Sequence, residues 1–446
     1  MASWIQWCHH WLHTLGIALL GAPSLPTTYQ VPVDYSWVYK TPSFPGSVPG
    51  QGATRGGLLY THMGMLTMLP NGSLAAAWQG STDSWEGSPN QSLYWSVSSD
   101  NAQTWSPHQL LVPPRPPGLP VWGPVLHNQD GTMHLFYSAS VEQCGGWGET
   151  GQGFSPGGDI FHMTSGDSGA TWSSPAVIYP FSDRLGIPKV TANRLAVLDD
   201  GSWLLPVWHE GSRPDCGQGL RSNGAPGMLL SVDQGKSFEP ILLNRPNATW
   251  LIEPTVVALK PDRPDMHIPV GLEKDLQPKV EDPQALALFR TKAGVLYQSI
   301  GYGREAREWT QPEPINVRNP DSKVSMDMTP VGTMLLAFND ASQLGQRTPL
   351  TVSSSTDNGV SWEELLVLED KLKGSFSYPT LLCPSSTDSC FVIYTVNANP
   401  TTPPAQAQAG TCKGRCCNRK NAYQSLRSTS RLQGWFCSAA HISICG

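Results

Sequence analysis

One short turn motif occurs four times in this chain, and it constrains the fold more than any other feature of the sequence. Each copy follows the pattern Ser-x-Asp-x-Gly-x-Thr/Ser-Trp/Phe, and only Ala102 departs from it, at the glycine position. The aspartate closes such a turn by accepting hydrogen bonds from nearby backbone N–H groups, and glycine supplies the positive φ. We expect the terminal aromatic side chain to be buried beside the next strand. The copies are Ser98–Trp105, Ser165–Trp172, Ser231–Phe238 and Ser355–Trp362, with the aspartates Asp100, Asp167, Asp233 and Asp357.

The spacing of the four copies indicates a repeated structural unit. Their first serines lie 67, 66 and 124 residues apart, and a degenerate copy that begins at Ser299 divides the longest interval. Hairpin turn signals at Asn71-Gly72, Asp130-Gly131 and Asp200-Gly201 interleave with the motif, and an apolar run follows each of them. A unit of about 65 residues made of short strands is typical of a β-propeller blade. We therefore predict an all-β fold, a six-bladed β-propeller, over residues 30–397.

Composition supports a β-protein with many turns and argues against two kinds of partner. The chain has 43 Gly, 40 Pro and only 14% charged residues, which suits short strands better than long helices. The 35 acidic residues outnumber the 29 basic ones and no basic cluster stands out, so we predict no nucleic-acid partner. No apolar run approaches the roughly 20 residues of a membrane-spanning helix, so we predict no integral membrane span.

The two ends of the chain differ from the repeats. Residues 1–24 contain the apolar stretch Leu15–Ala22, which is compatible with a signal peptide, although histidines stand where basic residues are usual. Together with glycosylation sequons at Asn71, Asn90 and Asn247 this predicts a secreted or lumenal protein, with a cytoplasmic location as the alternative. Residues 398–446 read as a linker and a cysteine-containing tail without secondary structure. Cys412, Cys416 and Cys417 lack a second half of a metal-ligand set, and we predict no metal and no cofactor.

The repeated motif resembles the Asp-box, or bacterial neuraminidase repeat, of sialidases, and the resemblance covers residues 58 to 396. It is most similar to a sialidase-like subfamily found in plants and bacteria. The resemblance implies a sialidase-like propeller in which the Asp-box aspartates are structural. The functional residues are then expected where the inner strands of the blades converge, because function is carried by a site and not by the fold.

The segment around the fourth Asp box has the order of elements that sialidases show. Arg347 precedes the box, and Ser377-Tyr378 follows it, with Tyr378 lying 31 residues after Arg347. In sialidases the corresponding arginine binds the substrate carboxylate and the tyrosine is the nucleophile. The resemblance therefore implies these roles for Arg347 and Tyr378; the alternatives are a turn arginine and a core tyrosine.

A second segment supplies a partner for that tyrosine. In sialidases a glutamate opens a strand and an arginine ends the next one, a pattern that Glu253 and Arg290 match despite an insertion between them. A phenol has a pKa near 10 and is a weak nucleophile at neutral pH, so a neighbouring carboxylate must accept its proton. We expect Glu253 to be that base and Arg290 to be a second ligand of the substrate carboxylate.

The general acid is expected in the loop between Trp78 and the first Asp box. Glu86 and Asp83 both qualify, and the Glu-Gly context of Glu86 resembles the sialidase-like subfamily, whereas Asp83 is nearer to what sialidases use. Asn339 and Asp340 precede Arg347 and either line the same pocket or form a turn.

One departure from the sialidase pattern bears on the substrate. Sialidases place a first arginine where this chain has His62, and a glutamate that orients it where this chain has Thr395. Histidine does not replace the bidentate contact of an arginine with a carboxylate. Arg55 is an alternative source of the missing cation.

Three functions therefore compete. The first is an exo-acting glycosidase of the sialidase type that acts on terminal, acidic sugars of glycans. The second is a carbohydrate-active lyase on the same scaffold, with His62 as base, and the third is a glycan-binding propeller without catalysis. The sequence leaves the sugar, the linkage and the oligomeric state open.

Overall fold

Nearly all regular structure in the computed structural model of the chain is β-strand. The structure describes residues 33–41, 57–141, 153–154, 156–183, 186–191, 193–210, 225–244, 246, 249–259, 283–370, 374–387, 389–398 and 434–443, with backbone only for 398 and 434–443. All of them belong to one unit, Val33–Gly446. The helical structure of these residues amounts to one 3₁₀ turn, Arg304–Ala306.

Twenty-six strands make up the described part of the chain. In order they are β1 (Val33–Lys40), β2 (Tyr60–Met68), β3 (Leu74–Ser81), β4 (Ser92–Ser98), β5 (Gln109–Val112), β6 (Val121–Gln129), β7 (Thr132–Ser140), β8 (Gly158–Ser165), β9 (Ala176–Tyr179), β10 (Lys189–Thr191), β11 (Ala196–Val197), β12 (Trp203–His209), β13 (Ala225–Ser231), β14 (Glu239–Leu242), β15 (Ile252–Ala258), β16 (Ala285–Arg290), β17 (Val295–Tyr302), β18 (Glu308–Trp309), β19 (Glu313–Arg318), β20 (Ser325–Met328), β21 (Met334–Asn339), β22 (Leu350–Ser355), β23 (Glu363–Glu369), β24 (Gly374–Leu382), β25 (Ser389–Ala398) and β26 (Gly434–Ser443).

These strands form six antiparallel blades, which confirms the all-β propeller prediction. Five blades follow the chain as β2–β5, β6–β9, β10–β14, β15–β19 and β20–β23, and the second and third are joined by one pairing between β8 and β10. The first or innermost strands of the six blades are β2, β6, β10, β15, β20 and β24. Strand β2 contacts both β6 and β24, so the last blade lies against the first.

The sixth blade contains both ends of the described chain. Its strand order is β24-β25-β26-β1, so Gly434–Ser443 lies between β25 and the N-terminal strand. The prediction of a tail without secondary structure after residue 397 is wrong for these ten residues. The strand carries no Asp box and follows a long polar stretch, whereas its backbone pairs with neighbours on both sides, a tertiary contact that sequence pattern does not report.

Hydrophobic cores lie between neighbouring blades. One cluster joins strands of the first three blades around Phe136 and Trp203, and another joins the fourth and fifth around Leu288 and Leu336. The predicted Asp-box aromatics pack as partly buried side chains: Trp172 and Phe238 against the first cluster, Trp362 against the second, and Trp105 against a third cluster that joins the first and sixth blades. The blades are therefore held by side-chain packing, and the aromatic that ends each box contributes to it.

The Asp boxes repeat one set of hydrogen bonds. In the second box Ser165 Oγ donates to Asp167 Oδ1 at 2.7 Å, and Thr171 donates to the same carboxylate through its backbone N at 2.8 Å. The equivalent bonds occur at Asp100, Asp233 and Asp357. The hydroxyl of Thr171, followed by its backbone N–H, lowers the pKa of Asp167 to about 2. The aspartates thus close turns between outer strands, at a distance from the innermost strands.

The glycine of the second Asp box lies against the preceding blade. Gly169 has φ +89°, and a Cβ added there would lie 1.9 Å from the ring of Trp95 in the first blade. Gly131, in a hairpin turn, has nearly the same φ of +88° but open space around it.

We expect Gly169→Ala to destabilise the protein more than Gly131→Ala. The left-handed backbone costs an L-residue about 1–2 kcal/mol at either position, and displacement of Trp95 adds about 1–3 kcal/mol at Gly169 alone. Urea unfolding of the two variants measures the difference. Equal losses of stability in the two variants would show that the contact between Gly169 and Trp95 does not contribute to stability.

Candidate functional site

Backbone bulges on the innermost strands turn side chains towards the propeller axis. The antiparallel register shifts between His62 and Met65 on β2, and equivalent shifts occur on β6, β15 and β24. At each shift one residue adopts a left-handed conformation: Met63 (φ 54°), Gly123 (54°), Glu253 (50°) and Tyr378 (56°). Positive φ is unfavourable for residues other than glycine and concentrates at functional sites, so the bulges at Met63, Glu253 and Tyr378 mark where the structure holds strain.

Tyr378, Glu253 and Arg290 form one hydrogen-bonded cluster. Tyr378 Oη donates to Glu253 Oε1 at 2.7 Å, and Arg290 Nη1 donates to Glu253 Oε2 at 2.9 Å and to Tyr378 Oη at 2.8 Å. Glu253 is 3% exposed. Burial raises the pKa of Tyr378 well above its usual 10, and Arg290 opposes this rise only in part. The phenol is therefore protonated at neutral pH, with a carboxylate in position to take its proton.

Asp321 completes the surroundings of the two arginines, and sequence analysis missed it. Arg290 Nε donates to Asp321 Oδ1 at 2.8 Å, and Arg347 Nη2 donates to the Asp321 carbonyl at 3.2 Å. Burial would lower the pKa of Arg290, but Glu253, Tyr378 and Asp321 outweigh it and raise that pKa. Burial and then Arg290 lower the pKa of Arg347. Among the described residues Arg347 has no carboxylate at ion-pair distance, so it is the better placed of the two to receive an anion.

His62 and Thr395 occupy the positions where the sialidase pattern has an arginine and a glutamate, and their side chains touch. His62 Nδ1 lies 2.9 Å from Thr395 Oγ1, and the imidazole lies 4.0 Å from the ring of Tyr378, centroid to centroid. Burial, followed by the charges of Arg347, Lys323 and Arg290, lowers the pKa of His62 well below 6.5. The imidazole is neutral at pH 7, so it does not replace the charge of an arginine.

The structure separates the two candidate acids. Glu86 lines the cavity and accepts a hydrogen bond from Gln79 Nε2 at 3.0 Å. Asp83 does not line it and accepts a hydrogen bond from Asn90 at the exposed side of the loop.

Asn339 and Asp340 do not reach the cavity, contrary to the pocket alternative. The buried amide of Asn339 donates to the Pro349 and Phe376 carbonyls, so it holds the chain around Arg347 in place. Asp340 forms a two-point contact with Arg318 on the exposed side, at 2.6 and 2.7 Å. Asn339 and Asp340 are thus close to Arg347 in sequence, but their side chains contact other groups than its guanidinium.

The cavity these residues border has a volume of about 400 Å³. Its walls combine the charged cluster with three tryptophans, Trp122, Trp208 and Trp250, and with Glu210, which accepts a hydrogen bond from Trp208 Nε1 at 3.0 Å. The lining thus includes three carboxyl side chains (Glu86, Glu210 and Glu253) and two guanidinium groups (Arg290 and Arg347). The resemblance to sialidases did not predict the three tryptophans. Trp122 lies on β6, Trp208 on β12, and Trp250 two residues before β15.

The described residues contain no group of three or more His, Cys, Asp or Glu side chains placed to hold a metal ion. Within the same residues, no helix has the length and apolar character that crossing a membrane requires. Arg55, residues 1–24 and Cys412, Cys416 and Cys417 lie outside the described residues.

Comparison with known proteins agrees with the fold. The sequence profile described as a BNR repeat-like domain matches residues 72–388. No curated protein matches the sequence. Among solved structures, a protein of unknown function from Dyadobacter fermentans is similar with a TM-score of 0.60 at 14% identity, over 92% of this chain and 99% of that one.

Two sialidases are also similar in structure. Trypanosoma rangeli sialidase, in complex with 2,3-difluorosialic acid as a covalent intermediate, has a TM-score of 0.60 at 11% identity and 92% coverage of this chain. The match covers 58% of the trypanosomal chain, so this protein spans little more than half of its length. NanB sialidase from Streptococcus pneumoniae has a TM-score of 0.55 at 12% identity, over 81% of this chain and 67% of that one. Identities this low show a shared fold alone.

Proposed function

The chain belongs to the BNR repeat-like domain family, and on that premise we propose that it is an exo-acting glycoside hydrolase with a tyrosine nucleophile. Its substrates are terminal, acidic sugars of glycans. The observation that carries the proposal is the contact of Tyr378 Oη with Glu253 Oε1 at 2.7 Å at the edge of a cavity that also contains two arginines.

The first chemical step follows from the protonation states. Tyr378 Oη attacks the anomeric carbon while its proton passes to Glu253 Oε1, so the nucleophile gains charge only in the transition state. Arg290, hydrogen-bonded to both groups, stabilises that charge. A neutral phenol also avoids the repulsion that a carboxylate nucleophile meets at a sugar carbon bearing an acid group, a known exception to the scheme with two carboxylates.

The leaving group needs a proton, and we assign its donation to Glu86, which lines the cavity. As the bond from the anomeric carbon to the leaving oxygen breaks, Glu86 protonates that oxygen. Water then attacks the glycosyl-tyrosine with Glu86 as base, and Glu253 returns the proton to Tyr378. Two displacements at one carbon give net retention of anomeric configuration.

The binding-module alternative also has support in the structure. Because a neutral His62 stands beside Thr395, the site has one cation fewer than the sialidase pattern. A site with fewer contacts to the sugar carboxylate could bind a glycan without cleaving it. The lyase alternative is weaker, because a histidine with a strongly lowered pKa is a poor base.

A panel of fluorogenic glycosides and a fluorinated sugar trap distinguishes catalysis from binding. We expect turnover of an acidic glycoside and covalent labelling of Tyr378 by the matching 2,3-difluoro sugar, found by peptide mass spectrometry. Saturable glycan binding with neither turnover nor labelling would establish the binding module instead.

Glu86→Gln is expected to lower kcat by about 10²–10⁴-fold for natural glycosides, the range for loss of a general acid. The loss should be much smaller for aryl glycosides whose leaving group needs no proton. Asp83→Asn, the same change three residues away but outside the cavity, is the control and should retain activity. Equal losses in both variants would contradict the role of Glu86.

We further propose that the protein is secreted or lumenal. Cys383 and Cys390, at the facing ends of β24 and β25, form a disulfide. Such bonds persist mainly in oxidising compartments. Fractionation of cells that express the full chain tests this location.

A further inference from the structure

Lys323 is a buried cation beneath the cavity that the mechanism above does not use. It precedes β20 by two residues and is 1% exposed. Within the described residues no carboxylate lies at ion-pair distance from its ammonium. Lysine is rarely buried in this way, because removing an ammonium from water is costly unless other contacts offset the loss.

The contacts of Lys323 join the bulges of two innermost strands. Its Nζ donates to the Pro379 carbonyl and to Thr380 Oγ1, the latter at 3.1 Å. Thr380 Oγ1 in turn donates to the Gly64 carbonyl at 2.8 Å. Pro379 follows the left-handed Tyr378, and Gly64 follows the left-handed Met63, which is next to His62. One ammonium thus connects the backbone that carries the phenol with the backbone that carries the imidazole.

We propose that Lys323 is a positioning residue: its ammonium clamps the bulges that aim Tyr378 and His62 into the cavity and places a positive charge near the imidazole. The catalytic consequence rests on the proposed function. The clamp and the effect on His62 do not.

The charges around Lys323 agree with this role. Burial lowers the pKa of Lys323 to about 7, and Glu253 opposes the shift. Lys323 lies with Arg347 and Arg290 among the charges that lower the pKa of His62. Further titratable groups near this part of the site are Glu253, Tyr378, Glu86, Tyr60 and Asp321. The positive charge of Lys323 is present below about pH 7 and is lost as the pH rises through that value.

The test is Lys323→Met, which keeps the length of the side chain and removes its charge and its donors. Histidine Cε1–H NMR titration follows His62, whose resonance is identified by its absence in His62→Asn. We expect the pKa of His62 to rise, because one repelling cation is gone. On a substrate that the protein cleaves, kcat should fall by about 10²-fold with little change in KM, as for a misplaced reacting group.

Lys189→Met is the matched control. Lys189 is equally buried, at 0% exposure, but its ammonium pairs with Asp183 at 2.8 Å and donates to the Pro180 carbonyl. This variant should lose stability and leave the His62 titration and kcat unchanged. An unchanged His62 pKa in folded Lys323→Met would overturn the proposal.

Two further outcomes keep the proposal separate from the proposed function. A shifted His62 pKa in a protein that cleaves no glycoside would support the clamp and refute the enzyme, whereas normal kcat in Lys323→Met would refute the clamp and leave the enzyme intact. If Lys323→Met does not fold, lysine Cε NMR of the native protein decides, using the resonance that Lys323→Arg removes. Titration of Lys323 near pH 7 supports an ammonium that is buried without a carboxylate partner. Titration near pH 10.4 overturns the proposal.

Discussion

Tyr378→Phe is expected to reduce turnover by at least about 10³-fold, as loss of a nucleophile does in other enzymes. The substitution removes the one atom that can bond to the anomeric carbon and leaves Glu253 and Arg290 paired with each other at 2.9 Å. Neither buried charge loses its last partner, so the loss of stability should be modest beside the loss of turnover. Kinetics on a cleaved glycoside, together with thermal unfolding, measures both effects.

Tyr394→Phe is the matched control. Tyr394 lies on the neighbouring strand of the same blade, is 0% exposed and donates to Glu369 at 2.9 Å. Loss of that hydrogen bond should cost about 1 kcal/mol of stability and no activity. If Tyr378→Phe retains turnover, the mechanism fails and the binding module becomes the better account.

The propeller was predictable because its repeats carry their own local chemistry. Each Asp box forms the hydrogen bonds of its turn between residues of the same eight-residue segment, for example Ser165–Trp172. The local sequence therefore contains both partners of these bonds. Strand β26 has no such signature, since its place between β25 and β1 depends on neighbours far away in the chain. Local patterns therefore predicted the blades and missed the strand that completes the last one.

The candidate site was predictable only where the sialidase pattern supplied it. Tyr378 and Glu253 are 125 residues apart, and no spacing rule brings them together. Asp321 was missed because no sequence motif marks it, and its carboxylate is recognised only by its contact with Arg290. The nearness of Asn339 to Arg347 in sequence left the pocket and a turn as alternatives, and the structure shows that its amide donates to backbone carbonyls. Whether such a residue belongs to the site depends on contacts between blades, and these contacts cannot be inferred from distance along the sequence.

Because His62 stands where sialidases have an arginine, we expect weak hydrolysis of ordinary sialosides. Substitution of His62 and Thr395, singly and together, tests whether the missing arginine is the cause. His62→Arg places a guanidinium near Arg290 and Arg347 in a buried position, and its neighbour at position 395 is a threonine instead of the orienting glutamate. A buried charge without a partner costs about 3–5 kcal/mol, so this variant should lose stability and gain no sialoside activity. Thr395→Glu alone should be destabilised for the same reason.

His62→Arg combined with Thr395→Glu should recover the stability and gain activity. The contact of 2.9 Å between the present side chains shows that the two positions are near enough for an ion pair to form. A hydrogen bond to a charged group is worth about 1.5–3 kcal/mol, so kcat/KM for a sialoside should rise by roughly one to two orders of magnitude over the native protein. His62→Gln with Thr395→Gln, which changes the same positions without charge, controls for altered packing and should show no gain. Efficient sialoside hydrolysis by the native protein would contradict this account, because Arg347 and Arg290 would then suffice, or another cation such as Arg55 would contribute.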